Sequence, residues 1–194
     1  MASTGPLRNV AGDEYAQVHQ SLDQQAQALL PQFGQSEDAP VVATPAAVQD
    51  AGARIDHRGT RASSRPAVLQ ILKAAAAAQQ LDPKLILALS YWESGWDQSR
   101  VSVTGAVGLM QVEPPTGAEA GPALLGRPVN LQDPVDNADV GAAVLRQDLN
   151  TFGSPELALA AYYQGPNSLR ADGMFPDTQA YVSGILALAG RMNV

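Results

Sequence analysis

The chain has 194 residues, enough for one domain of ordinary size and a modest appendage. It contains no cysteine and two histidines, which excludes disulfides and cysteine-based metal sites and argues against a histidine-rich metal site. The net charge of −7 comes without a basic stripe, so a nucleic-acid partner is not expected.

The start of the chain lacks the pattern of a secretory signal. The segment MASTGPLRNVAGDEY has neither a basic stretch nor an apolar core. No run in the sequence approaches the roughly 20 apolar residues of a membrane-spanning helix. We therefore expect no membrane span. If the protein acts outside the cytoplasm, we expect it to be a form whose signal has been removed, a phage protein, or a protein exported by another route.

Residues 1–60 differ in composition and in hydrophobic pattern from the rest of the chain. They are rich in Ala, Gln, Pro and Asp, and one helical pattern, EYAQVHQSLDQQAQALLPQF, precedes the linker-like SEDAPVVATPAAVQDAG. We predict an N-terminal extension of helix and linker over residues 1–60, followed by a globular domain over residues 61–194.

The second part alternates helical patterns with helix breakers. Ser, Asp and Pro stand at the starts of these patterns, and Gly stands at several ends. Helices are predicted in SSRPAVLQILKAAAAAQQ, DPKLILALSYWESG, NLQDPVDNADVGAAVLRQDLNTF, SPELALAAYYQGP and PDTQAYVSGILALAGRM. The segment VSVTGAVGLMQVEPPTG is predicted to be a compact loop. Because β patterns are minimal, the fold class is predicted to be mainly α.

Glu93 is the first candidate for chemistry. Helical spacing places it one turn beyond Leu89, on or beside the buried face, with Trp92 and Trp96 close by in sequence. An acid among apolar rings is either a paired structural group or a proton donor with a raised pKa. Position alone favours a structural glutamate at the helix end whose carboxyl reaches water.

Two further segments add weight to the functional interpretation. Gly105 and Gly108 bracket a turn in GAVGLMQVEPP, which is typical of backbone that passes close to another group. Tyr162 and Tyr163 stand together at a helix end, as on a surface for a stackable ligand such as a sugar. Taken alone, the glycines are better explained by an ordinary tight loop, and core packing explains the tyrosine pair about equally well.

Three acids at a spacing of three, Asp133, Asp136 and Asp139, do not match a calcium loop, which needs a spacing of two. Asp133 before Pro134 is instead predicted to be a helix N-cap, with Asp136 favourably placed in the first turn.

Taken in order, these segments resemble the soluble lytic transglycosylase domain, a lysozyme-like fold related to goose-type lysozyme. The resemblance covers residues 62–190 and includes six ordered motifs. The matching residues are Glu93, Ser94, Ser102, Gly105, Ala106, Gly108, Leu109, Met110, Gln111, Pro114, Thr116, Asn137, Gly141, Ala161, Tyr162, Gly165, Pro166, Thr178, Tyr181 and Val182.

The sequence departs from the family pattern at three positions. Tyr163 stands where the family usually has Asn, and Asp177 replaces a Glu, which shortens that acid by one methylene. Glu113 occupies a position where an apolar residue is common. The first two changes are expected to alter substrate contacts, and none removes the catalytic acid.

The resemblance implies an enzyme that cleaves the β-1,4 bond between N-acetylmuramic acid and N-acetylglucosamine in peptidoglycan. Glu93 would act as acid and then as base, giving a 1,6-anhydromuramoyl end without a metal or organic cofactor. It also implies that Tyr162 hydrogen-bonds to Glu93. The implied substrate-binding residues are Ser102, Met110, Gln111, Tyr162, Tyr163, Gln164, Asp177 and Tyr181.

Two alternatives remain open at the level of sequence. One is a muramidase like goose-type lysozyme, in which water attacks. The other is a non-catalytic glycan-binding or assembly module. By resemblance, the partner is the peptidoglycan strand and the location is the cell envelope, either the periplasm or the cell wall outside. Residues 1–60 would dock to a larger envelope, secretion or phage assembly.

Overall fold

A computed structural model of the chain describes residues 64–193. The helix and linker predicted within residues 1–60 lie outside this part. Within it, seven α-helices follow one another, and β structure consists of isolated bridges that join Val107 to Val101 and to Val112. The helices are α1 (Arg65–Ala78), α2 (Pro83–Ser94), α3 (Pro114–Ala120), α4 (Pro134–Phe152), α5 (Pro155–Gln164), α6 (Pro166–Asp172) and α7 (Pro176–Arg191), with a π-helical segment, Gly121–Leu125, directly after α3. The predicted mainly α fold is confirmed.

The starts of α2 and α4 follow the capping rules. The Asp82 carboxylate accepts from the Lys84 N–H at 2.8 Å, and Asp133 accepts from the N–H groups of Val135 and Asp136 at 2.9 and 3.1 Å. A cap of this kind stabilises a helix by about 1 kcal/mol. The prediction that Asp133 is a helix cap is therefore confirmed.

Two short helices, α3 and α6, were not predicted. α3 begins at Pro114, inside the segment expected to be a loop. Gly165 does end α5, as predicted, but Pro166 then opens α6 at once. Proline is well tolerated in the first turn, where the missing N–H would have no helical partner. The residue expected to stop one helix therefore also starts the next.

α2 lies at the centre of the fold, packed against α1 and α7. Every residue from 85 to 91 is buried, as are Glu93 and Ser94. Such all-round burial is typical of a central helix rather than a surface helix. Because α2 is a central helix, its last turn, which includes Glu93, lies in the interior.

Glycine allows two close approaches around this centre. A side chain at Gly184 of α7 would collide with the Trp92 ring of α2. A Cβ at Gly141 of α4 would lie 2.5 Å from Cβ of Met110. Both helices therefore pack directly against the region that holds Glu93. Within residues 64–193, no helix combines the length and the apolar character needed to cross a membrane.

Candidate functional site

Glu93 occupies the last turn of α2 and is only 7 % exposed. The Tyr181 hydroxyl of α7 donates to Oε1 of Glu93 at 2.5 Å. The interpretation of Glu93 as a helix-end glutamate whose carboxyl reaches water is therefore wrong. The carboxyl is buried and hydrogen-bonded to a phenol.

Tyr181 is enclosed by two other aromatic rings. Tyr163 of α5 stacks on it with centroids 4.5 Å apart and planes at 23°. Trp92 of α2 meets it edge-on at 6.4 Å and 88°. Both arrangements are favoured by the quadrupoles of aromatic rings. Three helices thus fix the ring whose hydroxyl reaches Glu93.

The loop after α2 is tied to the turn that carries Glu93. The hydroxyls of Ser90 and Ser94 both donate to the Leu109 carbonyl, at 2.9 and 3.0 Å. Ser94 directly follows Glu93 in sequence, so the Glu-Ser pair has a structural explanation. The glutamate supplies the carboxyl, and the serine binds the loop beside it.

Asn137 of α4 holds the same loop from the other side. It is fully buried. Its Oδ1 accepts from the Met110 N–H at 2.9 Å, and its Nδ2 donates to the carbonyls of Val107 and Leu131 at 2.8 and 3.1 Å. Gly108, at φ 76°, leaves room for this amide, because a Cβ there would lie 2.6 Å from Nδ2. Asn137 belongs to a sequence motif, but its role in holding the loop depends on contacts that the motif does not show.

Tyr162 does not make the hydrogen bond that was expected of it. Its hydroxyl donates to the Met110 carbonyl at 2.8 Å, not to Glu93. Burial raises its pKa well above the ordinary value, and the charges of Glu93 and Asp148 act in the same direction. Tyr162 therefore stays protonated and holds the loop beside the acid, while Tyr181 makes the bond to Glu93.

Met110 also differs from expectation. Its side chain is fully buried and packs against Gly141, so it does not line an exposed surface. Its backbone N–H and carbonyl bind Asn137 and Tyr162. A contact of Met110 with substrate remains a prediction.

The other predicted polar residues make contacts within the chain. Ser102 Oγ accepts from the Ala106 N–H at 3.0 Å. Gln111 Nε2 donates to the carbonyls of Arg100 and Gly108 at 3.2 and 3.0 Å. Both residues are partly exposed, and their contact with a ligand remains a prediction.

Gln164 connects three helices. Its Nε2 donates to Ser168 Oγ at 3.1 Å and to the Gly173 carbonyl at 2.7 Å. Its Oε1 accepts from the Phe175 N–H at 3.2 Å and from Thr178 Oγ1 at 2.8 Å. These bonds join the end of α5 to α6 and to the start of α7. Substrate binding by Gln164 remains a prediction.

Tyr163 and Asp177 lie on the exposed side of the cluster. The Tyr163 hydroxyl donates to Asp177 Oδ2 at 3.5 Å, a long hydrogen bond. Burial, the Asp177 charge and that bond raise the pKa of Tyr163 to about 12. Two of the three residues that depart from the family pattern, Tyr163 and Asp177, therefore contact each other.

Asp148 of α4 is a buried acid that the sequence analysis did not identify. It is 7 % exposed, and burial raises its pKa to about 6, against the opposing effect of Arg170. It lies three residues after the buried Leu145, on the same side of α4, so helical spacing indicates that it faces the core.

Residues 64–193 contain no group of three or more His, Cys, Asp or Glu side chains that would hold a metal ion. Around Glu93, this part of the chain offers a buried carboxyl, a phenol that binds it, and a loop fixed beside it. Such an arrangement is suited to proton transfer to a bound substrate.

Comparisons with known proteins agree on one family. The Transglycosylase SLT domain model matches residues 70–179. A transglycosylase of Enterobacteria phage PRD1 is 37 % identical over 98 residues, which are 50 % of this chain and 35 % of that protein. The soluble lytic murein transglycosylase of Escherichia coli K12 is 27 % identical over 205 residues, 93 % of this chain and 31 % of that protein.

The fold matches as well. The lytic transglycosylase Slt of Pseudomonas aeruginosa, solved as an inactive mutant with Glu replaced by Gln, aligns at 30 % identity with a TM-score of 0.57. The alignment covers 62 % of this chain and 23 % of that one. This chain spans about a third of the length of the two relatives matched in sequence. Because the family model covers more than half of the sequence, the chain belongs to the transglycosylase SLT domain family, with its lysozyme-like, mainly helical fold.

Proposed function

We propose that this chain is a lytic transglycosylase that cleaves the β-1,4 bond between N-acetylmuramic acid and N-acetylglucosamine and leaves 1,6-anhydromuramoyl ends. The buried Glu93 carboxyl, held by Tyr181 at the family's Glu-Ser motif, carries the proposal. The Escherichia coli relative is a murein transglycosylase, and a Glu-to-Gln mutant of the Pseudomonas enzyme is inactive. The first fact supports the activity, and the second supports a glutamate as the essential group.

In the first step Glu93 gives its proton to the glycosidic oxygen as the bond to the muramoyl C1 breaks. In the second, the C6 hydroxyl of the same sugar attacks C1, and the Glu93 carboxylate takes the proton of that hydroxyl. One C–O bond breaks, one C–O bond forms, and no water is consumed. Glycosidases usually need two carboxylates. Here a nucleophile within the substrate replaces the second one, and intramolecular attack is strongly favoured by proximity.

The chain's own groups fit these steps. Tyr181 orients the carboxyl through its hydroxyl, and burial among aromatic rings keeps bulk water away from it. Tyr162, Ser94 and Asn137 fix the loop beside Glu93. A rigid loop next to the acid would hold the substrate in register with it.

We extend the proposal to organisation and location. The catalytic domain comprises residues 61–194, and residues 1–60 form an extension that docks the domain to a larger envelope, secretion or phage assembly. The substrate strand places the site of action in the cell envelope.

Product analysis tests the reaction. Purified peptidoglycan is digested with the full chain, and the muropeptides are identified by mass spectrometry. The expected products carry anhydro ends, 18 Da lighter than reducing ends, a difference of one water. Reducing ends would show hydrolysis, as in the muramidase alternative. Absence of cleavage by well-folded protein would favour the non-catalytic alternative.

A further inference from the structure

Tyr163 spans two contact points on α7. Asp177 and Tyr181 are four residues apart, so their side chains lie on the same face of that helix. The Tyr163 ring stacks on Tyr181 at 4.5 Å, and its hydroxyl reaches Asp177 Oδ2 at 3.5 Å. One side chain of α5 therefore spans a full turn of α7, from the carboxylate to the ring that binds Glu93.

The stacked ring limits the movement of Tyr181. Trp92 meets Tyr181 edge-on, while Tyr163 is nearly parallel to it, and Tyr181 is only 3 % exposed. Tyr163 itself is partly exposed, so it forms the outer side of this aromatic cluster. Without the Tyr163 ring, Tyr181 would lose this stacking contact and would be held less firmly in its orientation toward Glu93.

The chemistry of Tyr163 argues against a role in proton transfer. Burial and the nearby charges of Asp177 and Glu93 raise its pKa to about 12. The phenol is therefore neutral at any working pH and adds no charge next to Glu93. Tyr163 instead contributes the stacking of its ring on Tyr181 and a long hydrogen bond to Asp177.

We propose that Tyr163 is a positioning residue whose ring holds Tyr181 in the orientation that donates to Glu93. The asparagine that the family pattern has at this position is too short to reach Asp177 and has no ring to stack on Tyr181. This chain thus orients its acid through an aromatic contact made by the residue that departs from the pattern. The inference rests on the proposed function for its kinetic consequences.

Four variants of the full chain test this: Tyr163→Phe, Tyr163→Leu, Tyr181→Phe and the double variant Tyr163→Leu/Tyr181→Phe. We expect Tyr163→Phe to stay within about 2-fold of wild type in kcat, because the ring remains and the lost hydrogen bond is long. Tyr163→Leu should lower kcat by about 3- to 10-fold, the range expected for a lost aromatic contact. Phe152→Leu, a partly buried aromatic of α4, is the matched control and should leave kcat unchanged.

The double variant separates positioning from an independent effect. If Tyr163 acts through Tyr181, Tyr163→Leu should cost little more once Tyr181→Phe is present. Multiplied losses in the double variant would overturn the proposal. An increase in KM with kcat unchanged would also overturn it, because that pattern indicates direct substrate contact.

A readout without substrate keeps the test independent of the proposed function. Carbon-13 NMR titration gives the pKa of the Glu93 carboxyl in the folded protein. Tyr181→Phe removes a bond donated to the carboxylate and should raise this pKa. Tyr163→Leu should shift it in the same direction, and Tyr163→Phe should not. No shift, or an opposite shift, in Tyr163→Leu would refute the positioning role. Failure of the wild type to cleave peptidoglycan would refute only the proposed function.

Discussion

The side-chain amide of Asn137 and the backbone N–H of Met110, 27 residues apart in sequence, are joined by a buried hydrogen bond of 2.9 Å. The same amide binds the carbonyls of Val107 and Leu131, so one side chain satisfies three backbone groups of irregular segments. The isolated bridges of this loop do not include Met110. Asn137 supplies what regular structure would otherwise provide.

Replacing Asn137 with Ala should therefore destabilise the domain. The buried Met110 N–H would lose its partner, at a cost of about 1–3 kcal/mol before relaxation or entry of water. The carbonyls of Val107 and Leu131 would each lose one bond but keep another, from the Val112 N–H and from Gln98 Nε2. We expect a loss of about 2–4 kcal/mol in the free energy of unfolding, measured by urea denaturation. Asn150→Ala, at an exposed position of the same helix, is the control and should change stability little. Equal effects of the two variants would contradict this account.

Glu93→Gln tests the acid directly. Glutamine keeps the size of the side chain but neither supplies nor accepts the proton. Peptidoglycan cleavage should fall by at least about 10²-fold, the usual scale for a general acid, with the circular dichroism spectrum unchanged. Glu119→Gln, which changes an exposed glutamate of α3, should retain full activity. Near-native turnover by Glu93→Gln would remove Glu93 from the mechanism.

Helices with strong local signals were predictable from the sequence. α2 begins after Asp82 and ends at Gly95, as expected, because an N-cap, a proline and a glycine with positive φ mark its ends. α3 was missed because a seven-residue helix containing Gly117 lacks any apolar periodicity. The prediction of a mainly α fold did not depend on that segment.

The composition of the site was more predictable than its hydrogen bonds. Glu93, Tyr162 and Tyr181 are all close to one another, as the resemblance implies. Which phenol binds the carboxyl depends on the packing of α5 and α7 against α2, and a motif does not encode that packing. The spacing of a sequence indicates the face of a helix but not the partner opposite it.

Tyr162→Phe should therefore affect stability more than chemistry. The variant loses the bond to the buried Met110 carbonyl, at a cost of about 1–3 kcal/mol. The melting temperature should fall, and kcat should change less than in Tyr181→Phe, which loses a bond to the acid itself. Thermal unfolding and turnover of both variants, measured together, decide this. A larger kcat loss in Tyr162→Phe would restore the original expectation that Tyr162 orients Glu93.

Residues 1–60 should be dispensable for cleavage of isolated peptidoglycan. Every family motif and every contact around Glu93 described above lies beyond residue 63. A shortened chain that starts at Ser63 should fold and clear a peptidoglycan suspension as fast as the full chain. Circular dichroism and turbidity measure the two properties. An unfolded or inactive short form would move the domain boundary toward the N-terminus.

Asp148 should make stability depend on pH. Burial raises its pKa from 3.8 to about 6, so the folded chain binds this proton more tightly than the unfolded chain. Between about pH 4 and pH 6 the folded state therefore holds more protons, and the contribution of Asp148 to stability declines as pH rises through this window. Above pH 6 the charged carboxylate remains buried, at a cost on the order of 3 kcal/mol.

Asp148→Asn removes that charge and should stabilise the protein at pH 7 relative to wild type. At pH 4, where the wild-type carboxyl is neutral in the folded state, the difference should shrink toward zero. Urea denaturation of both proteins at pH 4, 5, 6 and 7 measures the trend. Asp172→Asn, at an exposed position of α6, serves as control and should show no comparable pH-dependent gain. A stability difference between Asp148→Asn and wild type that is independent of pH would mean that Asp148 is not the group titrating in this window.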